Sequence, residues 1–152
     1  MDHAFRKRPV LAASVAVIRD GCVLLASRTK PPAEGLFSLP GGRVEMGETL
    51  EEAALRELRE EVGVSASIVA FNDHVEVIER GPEGAVVQHF VIASFVARWV
   101  SGNGTAGPEA GRVLWASRDE VGRLRTTRSL PRIAARAFRI FEADAAAHMV
   151  RP

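Results

Sequence analysis

The chain contains no tyrosine, only one cysteine and few aromatic residues of any kind, 6% of its 152 positions. A lone cysteine, Cys22, cannot close an internal disulfide, so stability has to come from a hydrophobic core. With nothing resembling a secretory leader at the start, this points to a reducing, cytoplasmic setting. No apolar run approaches the ~20 residues a membrane span requires, so no membrane partner is expected. Charge of one sign is also missing in excess. Twenty basic residues stand against 19 acidic ones, a net charge of +1, which lacks the footprint of a nucleic-acid binder. There is no internal repeat and no low-complexity linker. What is present is ordinary globular material, 47% hydrophobic and 26% charged. A chain of this length makes one domain and buries roughly two-thirds of its unfolded surface.

The near-neutral total hides an asymmetry. Arg43 to Glu61 holds seven glutamates and three arginines, whereas Arg112 to Pro152 holds nine arginines against Asp119, Glu120, Glu142 and Asp144. Taken singly, each block reads as a solvated face. Together they suit a divalent cation and an anionic substrate.

Residues 1–9 read as a loose lead-in and 149–152 as a tail, leaving 10–148 as the domain. Val10–Ile18 and Cys22–Ser27 flank the turn signal Asp20-Gly21 and predict a β-hairpin. Thr29–Gly35 is a loop. Leu36–Leu39 is a short apolar stretch stopped by Pro40-Gly41-Gly42, and a turn-rich piece leads on to Gly47. Thr49, three residues before Glu52, predicts a capped helix that runs to a stop at Gly63. Ser65–Ile78, interrupted near Asn72-Asp73, and Ala85–Val100 predict two strands about the turn Gly81–Gly84. Ser101–Gly111, with four glycines, reads as a flexible loop. A strand over Arg112–Ala116, a short helix over Asp119–Leu124 and a long helix over Leu130–His148 complete the chain. Hairpin-length links dominate over βαβ crossovers. The expected fold is therefore α/β (α+β): a single-domain α/β/α sandwich around a mixed β-sheet. Ile133, Ala137, Ile140 and Phe141 give the last helix an apolar face that suits packing on the sheet or a homodimer contact.

The helix before Gly63 carries the most information. At about 100° per residue, Ala54, Leu55, Leu58 and Val62 form a core-facing stripe. Glu57, Glu60 and Glu61 form an adjacent one, because positions i, i+3 and i+4 share a face. Like charges at that spacing cost a few tenths of a kcal/mol per pair, so helix stability does not call for them. A hard divalent cation such as Mg²⁺ or Mn²⁺ resolves the repulsion. Gly41 and Gly42 let the backbone approach closely, and Arg56 is placed to pair with Glu48 across the turn, as a brace for the ligands.

Gly42-x5-Glu48-x7-Arg56-Glu57-Leu58-x-Glu60-Glu61-x-Gly63-Val64 resembles, without departure, the signature box of the Nudix hydrolases. Its seven glycine and charged residues, with Leu58 and Val64 set aside, would coincide by chance in a given window on the order of once in 10⁹. More loosely, Leu39-Pro40-Gly41-Gly42, the Val-Leu-Leu strand ending in Arg28, and Trp115 followed by Asp119-Glu120 are similar to the same family. The resemblance implies the Nudix α/β/α fold and hydrolysis of a diphosphate linkage in a nucleoside diphosphate joined to another group, with Mg²⁺ or Mn²⁺ as cofactor. By the same resemblance Glu57, Glu60 and Glu61 are metal ligands, the Gly41 carbonyl is an additional one, and Glu48, Arg56 and Gly42 support them. The general base remains open between Glu60, Glu61 and Glu109, the last resembling the loop glutamate of MutT-type members. Such a loop would be mobile and close over the metals. Arg28 and Arg43 are the candidates for phosphate contact, since guanidinium suits bidentate binding. His89, Phe37, Phe71 and Phe90 read as core residues, and Cys22 as an inert small hydrophobe.

The expected partner is a small nucleotide. The Gln88–Ile92 strand and Trp115 are similar to bacterial ADP-ribose pyrophosphatases. The proline that marks that branch, however, is replaced by Glu79-Arg80, with Pro82 later. Two substrate classes stay open: a nucleoside diphosphate sugar such as ADP-ribose, and a nucleoside triphosphate cleaved to monophosphate and pyrophosphate. A third, non-catalytic reading is a nucleotide-sensing module, which commonly lacks box carboxylates that are all present here.

Overall fold

The computed structural model describes residues 8–31 and 33–149. Most of the expected lead-in (1–7) and tail (150–152) lies outside the described residues.

Seven strands form one sheet: β1 (Val10–Arg19), β2 (Cys22–Arg28), β3 (Phe37–Ser38), β4 (Gly41–Arg43), β5 (Ser65–Arg80), β6 (Val86–Ser101) and β7 (Ala110–Ser117). Its spine runs β3-β2-β1-β6-β5, with β4 on β1 and β7 on β2. β1 and β6 are parallel while the other pairs are antiparallel, so the sheet is mixed as expected. Three helices accompany it among the described residues: α1 (Leu50–Val62), α2 (Arg118–Val121) and α3 (Leu130–Met149).

The period-2 alternation of β1 sorts the core into two layers. Val15 and Val17 face α1, where Ala53, Ala54, Leu58 and Val62 meet them together with Ala93, Phe95 and Ala97 of β6. Ala16 and Ile18 point the other way, onto Leu130, Ala134, Ala137 and Phe138 of α3. Helices on both faces make the α/β/α sandwich. Ala53 joins the predicted stripe, while Leu55 is only partly buried.

α1 begins where predicted. The Thr49 hydroxyl accepts from the Glu52 N–H at 3.1 Å, and Gly63 closes the helix in the left-handed region at φ 70°. Only half of the capping box forms there, because the Glu52 carboxylate accepts a hydrogen bond from the Thr49 hydroxyl instead of reaching back to the backbone. The complete box stands unpredicted at Ser117–Glu120.

Several expectations change. Gly41–Arg43, read as turn, is a strand, because its backbone pairs with Ala12, Ala13 and Ser14 of β1. The interruption near Asn72 is a bulge between Phe71 and Asp73. It turns Asn72 inward, where its Nδ2 donates to the Ile133 carbonyl at 3.1 Å and its own carbonyl accepts from Arg136 Nε at 2.9 Å. His89 is half-buried, not core, since β6 pairs with β1 only from Phe90 onward and Val86–His89 extends past it with β5. Phe71 is 53% exposed and meets Phe95 edge-on. Cys22 is half-buried beside the β1–β2 turn. No helix among the described residues is long and apolar enough to cross a membrane.

Candidate active site

The acidic stripe of α1 faces β4. A Cβ built on Gly42 would fall 2.5 Å from Glu57 Cδ and 2.6–2.7 Å from its carboxylate oxygens, so any larger residue would displace Glu57. Next to it, the Gly41 N–H donates to Glu61 Oε2 at 3.0 Å. Gly42 therefore lets the Glu57 carboxylate lie directly on the strand, through the close approach foreseen from its lack of a side chain. Glu61 is held by the Gly41 backbone N–H, and the missing side chain of Gly41 makes room for Ala13 and Ser14 of β1.

Arg56 gathers the remaining acids. Its Nε donates to Glu48 Oε2 at 2.6 Å and its Nη2 to Glu48 Oε1 at 3.0 Å. Nη2 also reaches the Arg43 carbonyl at 3.0 Å. Nη1 is shared between Glu57 Oε1 and Glu60 Oε2, each at 3.0 Å. Glu48 in turn accepts the Glu45 N–H at 2.9 Å, which closes the loop onto the helix. The bidentate guanidinium holds the Glu48 carboxyl at a pKa of about 2, with the Glu45 amide adding to the effect, and Arg56 itself is pushed upward.

Glu61 is the opposite case. Burial raises its pKa to about 7, and the charges of Glu57 and Glu109 push it the same way. The Gly41 amide and Arg28 oppose the shift without cancelling it. Those influences bring Glu57, Glu61, Glu109 and Arg28 into one electrostatic neighbourhood.

Glu109 belongs to the 102–109 loop, which is bonded to its surroundings at both ends. The loop lies along the last turn of α1. The Thr105 N–H donates to the Val62 carbonyl at 2.9 Å, and a Cβ on Gly107 would stand 3.9 Å from the Glu61 carbonyl. Its far end is tied where Thr29 Oγ1 donates to the Pro108 carbonyl at 3.0 Å and Ala110 pairs with Arg28. The sequence offered no signal for Thr29, whose role arises from 79 residues away.

Two predicted residues stand apart. The Glu60 carboxylate is turned out to Arg56, with 60% of its side chain exposed. Arg43 pairs with Ala12, so by alternation its side chain leaves the sheet on the face opposite α1, where its guanidinium sits 5.9 Å from the Phe90 ring centroid. Only its carbonyl joins the acidic cluster.

The oxygen-rich set fits a hard divalent cation in kind. Glu57 is seated on Gly42 and Glu61 is bonded to the neighbouring Gly41 N–H, and burial raises the Glu61 pKa despite Arg28. As the side chains stand, no group of three ligating residues is gathered for a metal among the described residues: Glu60 is engaged with Arg56, and Glu109 does not close a trio with Glu57 and Glu61.

A NUDIX domain family model matches residues 8–138. An ADP-ribose pyrophosphatase of Methanocaldococcus jannaschii is 34% identical over 102 residues, which is 67% of this chain and 58% of that one. A putative 8-oxo-dGTP diphosphatase of Bacillus subtilis is 37% identical over 95 residues, 62% of this chain and 57% of the other. The match thus spans a little over half the length of these relatives. Among solved structures, a MutT NUDIX hydrolase from Burkholderia pseudomallei superposes with a TM-score of 0.75 at 26% identity, covering 86% of this chain and 98% of that one. The NUDIX domain of Shewanella oneidensis NrtR, complexed with ADP ribose, shares the fold with a TM-score of 0.72 at 22% identity, covering 90% and 91% of the two chains.

Proposed function

The chain belongs to the Nudix family, and from that premise we propose that it is a divalent-metal-dependent pyrophosphohydrolase. It would cleave the diphosphate linkage of a nucleoside diphosphate joined to another group. The observation that carries this reading is the seating of Glu57 against Gly42 and of Glu61 on the Gly41 N–H.

Glu57, Glu61 and Glu109, joined by Glu60 once it leaves Arg56, would hold Mg²⁺ or Mn²⁺. The bound cation supplies neutralisation of the diphosphate oxygens, which otherwise repel a nucleophile. The other tasks fall to the chain. Arg28, at the end of β2 beside Ala110, contacts the phosphate by guanidinium hydrogen bonds. Glu48 and Arg56 keep Glu57 in place and leave its second oxygen available. The attacking water forms a P–O bond as the bridging P–O bond breaks, and its proton passes to a carboxylate. Glu109 is our assignment for that base, because it comes from the loop and not from the strand-seated pair. The base could otherwise be Glu60 or Glu61, a choice that the Glu109→Gln variant decides.

The substrate proposed first is of the ADP-ribose or nucleotide-sugar type, supported by the M. jannaschii relative named ADP-ribose pyrophosphatase. A second reading, nucleoside triphosphate cleaved to monophosphate and pyrophosphate, is favoured by relatives named 8-oxo-dGTP diphosphatase and CTP pyrophosphohydrolase. A product-resolved screen of nucleotides with Mg²⁺ and with Mn²⁺ separates them. Two monophosphate-bearing products mean the first reading, and pyrophosphate means the second. Binding without product at high protein concentration would overturn both in favour of a sensor module.

A further inference from the structure

Away from the carboxylates, at the opposite end of the 102–109 loop, the Arg19 guanidinium lies between two indoles. Its Cζ is 4.6 Å from the Trp99 ring centroid and 4.1 Å from that of Trp115. All three side chains also bond the start of the loop. Arg19 Nη1 donates to Asn103 Oδ1 at 3.2 Å, Trp115 Nε1 to the Asn103 carbonyl at 2.9 Å, and Trp99 Nε1 to the Gly102 carbonyl at 2.6 Å. Arg19 ends β1, Trp99 lies near the end of β6, and Trp115 is on β7, so three strands of the sheet converge on two consecutive loop residues. Gly102 is locked there as well. It has φ 90° and packs against the Gly63 carbonyl, leaving no space for a Cβ.

From this clasp the loop descends the final turn of α1, with Thr105 bonded to Val62 and Gly107 passing the Glu61 carbonyl, before reaching Glu109. A loop with three glycines between Gly102 and Gly107 has little stiffness of its own. Its register along α1 is therefore set by where it is held. Between Asn103 and Gly107 the backbone bond to α1 among the described residues is that of Thr105 to Val62. Slippage at Asn103 would therefore be passed along to the Gly107–Ala110 turn that carries Glu109, whose far side is held by Thr29 and by the pairing of Ala110 with Arg28.

We propose that Arg19, clamped between Trp99 and Trp115, is a positioning residue that registers the 102–109 loop on α1 and so sets Glu109 against Glu61. It acts through the loop and touches none of the reacting groups. The inference rests on the pyrophosphohydrolase reading and on Glu109 taking part in it.

The test compares Arg19→Gln and Trp115→Phe with wild type, each alone and in a Glu109→Gln background. Both are expected to lower kcat about tenfold or more, since small misplacements of a catalytic group carry large rate costs, with KM changed less than twofold. In the Glu109→Gln background the same substitutions should cost less than twofold. Hydrogen exchange of the metal-free protein supplies a readout independent of turnover. The amides from Asn103 to Gly107, Thr105 above all, should lose protection while Ala53–Leu58 of α1 keep theirs. Trp115→Phe, which removes the ring N–H bonded to Asn103 and keeps a smaller aromatic surface under Arg19, covers the case in which Arg19→Gln fails to fold. Unchanged kcat and loop protection, or an equal loss in both backgrounds, overturns the proposal. So does a Glu109→Gln enzyme as active as wild type. Failure of the underlying functional reading shows differently: wild type is then inactive on every nucleotide, while loop exchange still responds to Arg19→Gln.

Discussion

Arg56 and Glu48 form a two-pronged pair, Nε to Oε2 at 2.6 Å and Nη2 to Oε1 at 3.0 Å, which ties the loop after β4 to the middle of α1. A lysine cannot supply both prongs. Arg56→Lys and Arg56→Ala should each lower kcat and also lower the melting temperature by a few degrees. A loss of rate beside an unchanged melting curve would contradict the bracing role.

The same pair makes a pH prediction. A carboxyl held at about 2, against a usual 4.5, contributes stability that is present above about pH 4.5 and is lost as the pH falls toward 2. Acid unfolding of Arg56→Gln should therefore be less steep between those values than that of wild type, as followed by circular dichroism.

Glu61 predicts the reverse slope. Its carboxyl, raised from 4.5 to about 7, contributes stability fully present below pH 4.5 and lost as the pH rises through 7. In EDTA, raising the pH from 5 to 8 should lower the melting temperature of wild type more than that of Glu61→Gln. Added Mg²⁺ or Mn²⁺ should remove the difference by restoring a counter-charge. Identical pH profiles in EDTA would remove Glu61 from its buried position.

For turnover, Glu57→Gln, Glu60→Gln and Glu61→Gln should each lower kcat by about 10²-fold or more with the fold intact. Chelation should abolish activity and Mg²⁺ or Mn²⁺ should restore it. Calorimetric titration with Mn²⁺ should show weakened binding in the same variants. Wild-type rates in Glu60→Gln would mean that its contact with Arg56 persists throughout the reaction.

Gly42→Ala tests the seat itself. The new methyl group would occupy the place of the Glu57 carboxylate, 2.5 Å from its Cδ. Far-ultraviolet circular dichroism should be unchanged, while kcat and Mn²⁺ affinity both fall. An alanine variant with full activity would show that Glu57 does its work from another position.

α1 was legible because its information is local. The Thr49 cap, the Gly63 stop, the apolar stripe and the glutamates are all specified by neighbours three or four residues apart. The Glu48–Arg56 pair is almost as local, its members eight residues apart across the start of the helix. The two-sided core was legible for a similar reason, since the alternation along Val15–Ile18 states which residues face each helix layer. Errors gathered where the answer depended on pairing. Gly41–Arg43 became a strand only because β1 was there to meet it. The partners of the glycine-rich 102–109 segment, Val62, Thr29, Trp99 and Trp115, could not be read from its own composition.

Residue types and their spacing alone therefore sufficed for the family, the acidic helix and the α/β/α layering, since periodicity and short-range motifs survive without knowledge of distant contacts. The structure decided that Arg43 leaves on the far face of the sheet, that the 102–109 loop carrying Glu109 runs along the last turn of α1, and that Arg19 is bonded to the start of that loop. Those relationships join segments up to about 80 positions apart, and strand order, which no local pattern encodes, is what brings them into contact.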